Sequence, residues 1–274
     1  MPSLIVIAKI RIIPSALVLV AALGLAACQS KNAALETDPM ATGSVGTAGL
    51  DASATPVAGS FKRTQELAQQ WNANPGNEAL GLQYAESLKQ MGQTEQQIDV
   101  LKAIAVAHPN DGTLQARLGK QLLAADRPGE AIPMLERAAA QPNADWKSLS
   151  ALGSAYDQQG NYAQARAKYQ QALAQRPNEL SVENNMAMSY ALEGKLPDAE
   201  KLLRSAVAQP GADAQPRVRQ NLALVVGLQG RFDEARQIAS ADLPPDQVEA
   251  NLNYLQQMLA QPNTWQQLSK QNQG

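Results

Sequence analysis

The chain has 274 residues, 45% hydrophobic but only 4% aromatic, with one Cys and one His. A single Cys excludes an internal disulfide and any multi-Cys zinc site, and His108 alone leaves no histidine-ligated metal cluster. Lys plus Arg number 23 against 25 Asp plus Glu, a net charge of −2, so the basic surface that nucleic-acid binding requires is missing. The hydrophobic mass is therefore largely Ala and Leu, strong helix formers that lose little side-chain freedom in a helix, and an all-α chain is expected.

Residues 1–27 carry Lys9 and Arg11 and no acid, followed by an apolar run from Ile12 that ends in Leu25, Ala26 and Ala27. A short basic segment, an apolar stretch and small residues are the marks of a secretory signal. A membrane span is the rival, but 16 residues at ~1.5 Å each reach only ~24 Å of a ~30 Å hydrocarbon core. Directly after Leu-Ala-Ala stands Cys28, and the sequence there resembles the lipobox of bacterial lipoproteins. The resemblance implies cleavage after Ala27 and acylation of Cys28, with more than one acyl chain giving a firm membrane anchor. Gln29 in place of Asp points to the outer membrane, facing the periplasm.

Gln29–Ser60 holds 19 Gly, Ala, Ser or Thr among its 32 residues and only four charges, without helical or strand period. Residues 28–60 are expected to be a lipidated Cys and a flexible linker with a mean reach on the order of 30 Å.

From Phe61 onward the sequence repeats itself every 34 residues. Gly119, Gly153 and Ala187 keep that step, as do Ala131, Ala165 and Ala199, then Leu135, Tyr169 and Leu203. The most complete copy, Trp146 to Glu179, carries Leu152, Gly153, Tyr156, Gly160, Tyr162, Ala165, Tyr169, Ala172 and Pro177. That set resembles the tetratricopeptide repeat, which implies two antiparallel helices per unit. Gly or Ala where they cross lets the axes approach to ~8–10 Å. Gly92, Gly160 and Gly194 stand where the first helix of a unit must stop. Glu78–Asp111 reads as a unit with Gln97 in the slot where the small Ala belongs, and Pro216 to about Pro244 as one that follows a two-residue insertion near Gly211. Phe61–Asn74 and Asp246–Ala260 read as capping helices, because the ends of a solenoid must cover an apolar face. The expectation is a tetratricopeptide-repeat solenoid of about five helix pairs over residues 61–260, capped at both ends, with a polar tail at 261–274.

No residue set supports chemistry. His108 precedes Pro109 at a helix end with no assigned acid beside it, Asp126 and Glu130 flank an inter-helix turn, and no GxxxxGKS-type run occurs. Neither a catalytic residue nor a metal, cofactor or small-molecule substrate is expected. What remains is a concave surface. In the repeat family the first helix of each unit lines that groove, and register carries this over to Lys120, Ser150, Ser154, Asn184, Met188, Gln220 and Leu224. Asn185 and Asn221 match a common Asn of the repeat and are expected to bond backbone between units. A peptide or helix laid along the groove is the mode such a surface serves.

The order of lipobox, linker and repeats, with Ala239–Pro245 and Glu249-Ala250-Asn251 followed by Tyr254-Leu255, resembles the TadD family of tight-adherence (Flp) pilus assembly lipoproteins. The resemblance implies a pilotin-like adaptor that binds an outer-membrane secretin or another pilus assembly component and supports adhesion and biofilm formation. An adaptor for peptidoglycan hydrolases, a type IV pilus biogenesis factor and a periplasmic enzyme are the alternatives.

Overall fold

In a computed structural model, residues 56–260 are described. The expected signal, Cys28, most of the linker and the tail with Trp265 and Leu268 lie outside the described residues. The described residues form twelve α-helices and one 3-10 turn. The first helix, α1 (Pro56–Ala73), is followed by five pairs: α2 (Glu78–Gln90) with α3 (Thr94–Ala107), α4 (Gly112–Ala124) with α5 (Pro128–Ala139), α6 (Trp146–Gln158) with α7 (Tyr162–Gln175), α8 (Leu180–Leu192) with α9 (Leu196–Val207), and α10 (Pro216–Leu228) with α11 (Phe232–Ala239). The last helix, α12 (Pro245–Ala260), packs on α10 and α11 through Val248, Leu252 and Leu255, the cap expected at that end. At the other end α1 begins at Pro56, inside the segment read as linker; Pro is well tolerated in a first helical turn, where its missing N–H has no intrahelical partner to lose.

Local chemistry sets where each helix begins and ends. Asn77, Asp111 and Asp145 cap α2, α4 and α6, their carboxamide or carboxylate oxygens accepting from Leu80 N, from Thr113 N and Leu114 N, and from Ser148 N. Between the two helices of a unit the chain needs one left-handed residue. Gly92, Gly160, Gly194 and Gly230 supply it at φ between 70° and 85°, and in the second unit Asp126 does so at φ 57°. The insertion near Gly211 is absorbed by a left-handed Gly211 and the 3-10 turn Ala212–Ala214, with Ala212 buried.

Within a unit the two helices touch at the small residue. A Cβ on Gly119 would sit 2.5 Å from Leu135 Cγ, and one on Gly153 would sit 2.6 Å from the Tyr169 ring. Ala85 and Ala187 occupy the same step in other units and are buried. Facing them, Leu135, Tyr169 and Leu203 are buried, each such side chain contributing about 1.5–3 kcal/mol. Ala131, Ala165 and Ala199 are fully buried as the period requires; Gln97, in their slot, is 6% exposed and its Oε1 has no partner among the described residues. The core falls into two clusters, one running from Trp71 to Val182 and the other from Leu180 to Leu252, so that the division lies within α8.

Candidate functional site

The first helices of successive units form the inner wall. α4 touches α6, α6 touches α8 and α8 touches α10, while the second helices of neighbouring units meet at most marginally, so the first helices lie on the narrow side of the curve. The series is interrupted at its start, where α2 and α4 scarcely meet. A cavity of about 980 Å³ opens there, with Glu86 and Lys89 on α2, Arg117, Lys120 and Gln121 on α4, and Gln97 of α3 in its lining.

The groove residues expected from register do not share one environment. Lys120 lies half-buried in the lining of the cavity. Ser150 and Asn184 are buried, at 9% and 5% exposure. Ser154 is half-buried; its Oγ donates to Ser150 O and lies 3.1 Å from the Tyr169 hydroxyl. Met188, Gln220 and Leu224 are half-buried, and Met188 packs on the second core cluster. Asn221 was expected to bond backbone; its Nδ2 instead donates to Asn184 Oδ1 at 2.8 Å, a side-chain link between α8 and α10. The groove is thus charged and open at its first two units and amide-rich with partly buried apolar side chains at its last two.

Beneath the inner wall lies a polar cluster that the period gives no hint of. Asp157, near the end of α6, accepts from Ser189 Oγ of α8 at 2.6 Å and from the Tyr169 hydroxyl of α7 at 2.8 Å. Burial pushes its carboxyl up to about 6, against the two hydroxyl donors and the nearby Arg166, which pull it down. Burial also raises Tyr169, with Asp157 adding to the shift. Beside this cluster Arg166 pairs with Glu193 at 2.6 Å and stacks over the Tyr190 ring, its centre 4.4 Å away. These groups are spread over two units about 32 residues apart, so only the folded joint brings them together.

Elsewhere two ion-pair networks join neighbouring units. Arg127 joins Glu95 and Glu130, with Lys102 on the same Glu130, and these two cations hold that carboxyl at about 2. Arg231 and Arg204 both join Glu200 and Glu234. Asp126 sits exposed in its turn and Glu130 is held in this pairing, so the two do not form an acid–base site. The His108 ring reaches back to Gly76 O at 3.2 Å and ties α3 to the turn before α2, a structural bond that the sequence reading missed because the two are 32 residues apart. Among the described residues no group of three His, Cys, Asp or Glu could hold a metal ion, and no helix is long and apolar enough to cross a membrane.

Three tetratricopeptide-repeat family models match the chain, at residues 64–149, 146–179 and 216–241. Among solved structures it is similar to PilW, a widely conserved type IV pilus biogenesis factor, at 19% identity over 76% of this chain and 90% of that one, with a TM-score of 0.52. It is also similar to MamA from Desulfovibrio magneticus RS-1, at 19% identity over 54% of this chain and 84% of that one, TM-score 0.50. The protein y4yS of Sinorhizobium fredii (strain NBRC 101917 / NGR234) is 32% identical over 88 residues, which are 32% of this chain, and the match spans about half of that relative's length. Five crossed helix pairs at a step of 34, two end caps and these matches make the chain a tetratricopeptide-repeat protein, an all-helical scaffold for protein interaction.

Proposed function

We propose that the protein is a lipid-anchored adaptor of the bacterial envelope, held by Cys28 in the outer membrane and facing the periplasm, that binds a secretin or another component of a tight-adherence (Flp) pilus. It acts by binding alone, in the manner of a pilotin. The observation that carries the reading is the pairing of a repeat scaffold with Cys28 directly after Leu25-Ala26-Ala27 and the 27 residues, 29–55, that separate Cys28 from α1. The tether lets the inner wall search within a few tens of ångströms of the membrane. The inner wall supplies a surface and no reactive constellation: its free cations, amides and half-buried Met188 and Leu224 suit an extended or helical segment of another protein. The same fold serves PilW, a pilus biogenesis factor.

In a strain carrying Cys28→Ala, the secretin is expected to be displaced from the outer membrane or to lose its oligomeric form, read by membrane fractionation and by oligomer-preserving electrophoresis. Unchanged secretin rings and unchanged piliation overturn the adaptor reading.

A further inference from the structure

On the outer side, the second helices of the first two units enclose a groove of about 590 Å³ with α4 as its floor. Leu118 and Leu122 of α4 are buried at its base, and Ala105 and Val106 of α3 face Pro133 and Met134 of α5 across it. Val106 is 80% exposed, more than any other large hydrophobic side chain among the described residues. The step of 34 puts Ala140, Ala167 and Lys168 at the places of Val106, Pro133 and Met134 in the next outer groove, and Ala174, Lys201 and Leu202 in the one after. The next two joints therefore lack the pairing of an exposed Val with an apolar recess.

The two ends of the groove differ in charge. The ion pair of Glu95 with Arg127, at 2.9 Å, sets the beginning of α3 beside that of α5, and Lys102 joins Glu130 at 2.8 Å. Asp99 acts on the same Arg127, so three carboxylates stand against two cations at that end. Pro133 has no N–H to give Gly129 O four residues before it, which leaves this carbonyl short of its helical donor at the same end. Val106 and Arg137 lie at the other end, about 15 Å along helices that rise ~1.5 Å per residue. The Arg137 guanidinium reaches the Met134 sulfur at 4.0 Å and has no carboxylate partner among the described residues, while Glu136 beside it is turned to the Tyr156 hydroxyl.

We infer that this groove is a contact between two copies of the chain, set head to tail about a two-fold axis. The Val106 and Arg137 end of each copy covers the Glu95, Asp99 and Gly129 end of the other. A two-fold contact requires one face to carry both halves of every interaction. This face does so, with an exposed Val and an apolar recess, and with a cation at one end against a net negative charge and a freed carbonyl at the other. A foreign apolar segment would cover Val106 but bury Arg137 without a carboxylate, at a cost in hydration. Faces about 20 Å long bury an area at the low end of specific interfaces, so association in the micromolar range is expected. The contact lies on the second helices and leaves the inner wall free, so the inference goes beyond the adaptor reading and does not depend on it.

The test places a photoreactive benzoylphenylalanine at Val106 of the full chain and irradiates whole cells. The expected adduct has twice the mass of the chain, and its linked peptides come from α3 or α5 of a second copy. Sedimentation of the purified full chain in detergent should show a reversible dimer, which Val106→Glu, Arg137→Glu and Glu95→Lys each weaken about tenfold. All three side chains are exposed, and an unchanged melting curve verifies that each variant folds. Mixing Arg137→Glu chains with Glu95→Lys chains should restore the dimer, because the reversed pair attracts and the other pair of the same two-fold is untouched. An adduct with lipid or with another protein, no adduct, a monomer at every concentration, a dimer indifferent to the reversals, or a mixture that stays monomeric overturns the inference.

Discussion

Between the second and third units the buried surface is mainly apolar, from Leu135 and Ala138 on one side to Leu149, Leu152 and Tyr156 on the other, with one part-buried hydrogen bond across it, from the Tyr156 hydroxyl to Glu136 at 2.6 Å. Between the third and fourth it passes through Asp157, Tyr169, Ser189 and the Arg166–Glu193 pair, and the hydrophobic core divides there. Both joints come from one repeat and use the same helix crossing, so the difference lies in a few side chains outside the repeated positions. In a solenoid each unit touches only its neighbours, and stability is a sum over units and joints. An apolar joint is indifferent to pH and salt, while one built on a buried carboxylate is not.

The largest effect is expected from Gly153→Leu, which should cost about 3 kcal/mol by overpacking. A Cβ alone would already lie within 3 Å of three Tyr169 ring atoms, and displacing that ring also removes the hydroxyl that holds Asp157. Gly119→Leu meets Leu135 as closely, but disturbs no polar cluster. Urea unfolding of the two variants separates the crossing from the seam: Gly153→Leu should be the worse, and equal losses would show that the polar cluster adds nothing to the third unit.

The seam also makes stability depend on pH. The Asp157 carboxyl has an ordinary value near 3.8 and stands at about 6 when folded, so the folded chain holds the proton more tightly. Its stabilising contribution is complete below the ordinary value and is lost as pH rises through 6. From pH 7 to 5 the protein should therefore gain about 1.4 kcal/mol, one unit's worth below the folded value. Glu130, Glu193, Glu200 and Glu249 are shifted down, and their contributions fade only as pH falls below their ordinary value of 4.5. Asp157→Asn should flatten the rise between pH 7 and 5 while leaving the acid limb intact. A rise of equal size in that variant would assign the titration to another group.

Most of the fold was legible in the sequence because its determinants recur. A step of 34 placed the crossing at Gly119, Gly153 and Ala187 and the turns at Gly92, Gly160 and Gly194, and each lies where the period puts it. The site was less legible, for the same reason. Register treats equivalent positions alike, yet Ser150 and Asn184 are buried while Lys120 borders an open cavity. That opening depends on how far α2 stands from α4, a tertiary spacing with no local pattern. Asp157 meets Ser189, and His108 meets Gly76, across 32 residues and outside the repeated positions. Only Gln97, a large polar residue in a small apolar slot, marked in the sequence where the wall departs from regularity.

The smallest effect separates the second unit from its neighbours at a single dihedral. Four units turn on a left-handed Gly, and the second turns on Asp126 at φ 57°, where an L side chain crowds the following carbonyl at a cost of roughly 1–2 kcal/mol. Asp is among the residues that meet this cost most easily, since its short side chain bonds locally, and a Gly would add freedom to the unfolded chain. The two effects oppose, so Asp126→Gly should stabilise by only about 0.5 kcal/mol. The reverse change at the third turn, Gly160→Asp, puts the same strain where no side chain was accommodated and should destabilise by about 1 kcal/mol. Paired thermal melts read both. A loss in Asp126→Gly would mean that the Asp side chain holds the turn through contacts worth more than the strain, and the second turn would then be a separate solution rather than a costlier copy of the others.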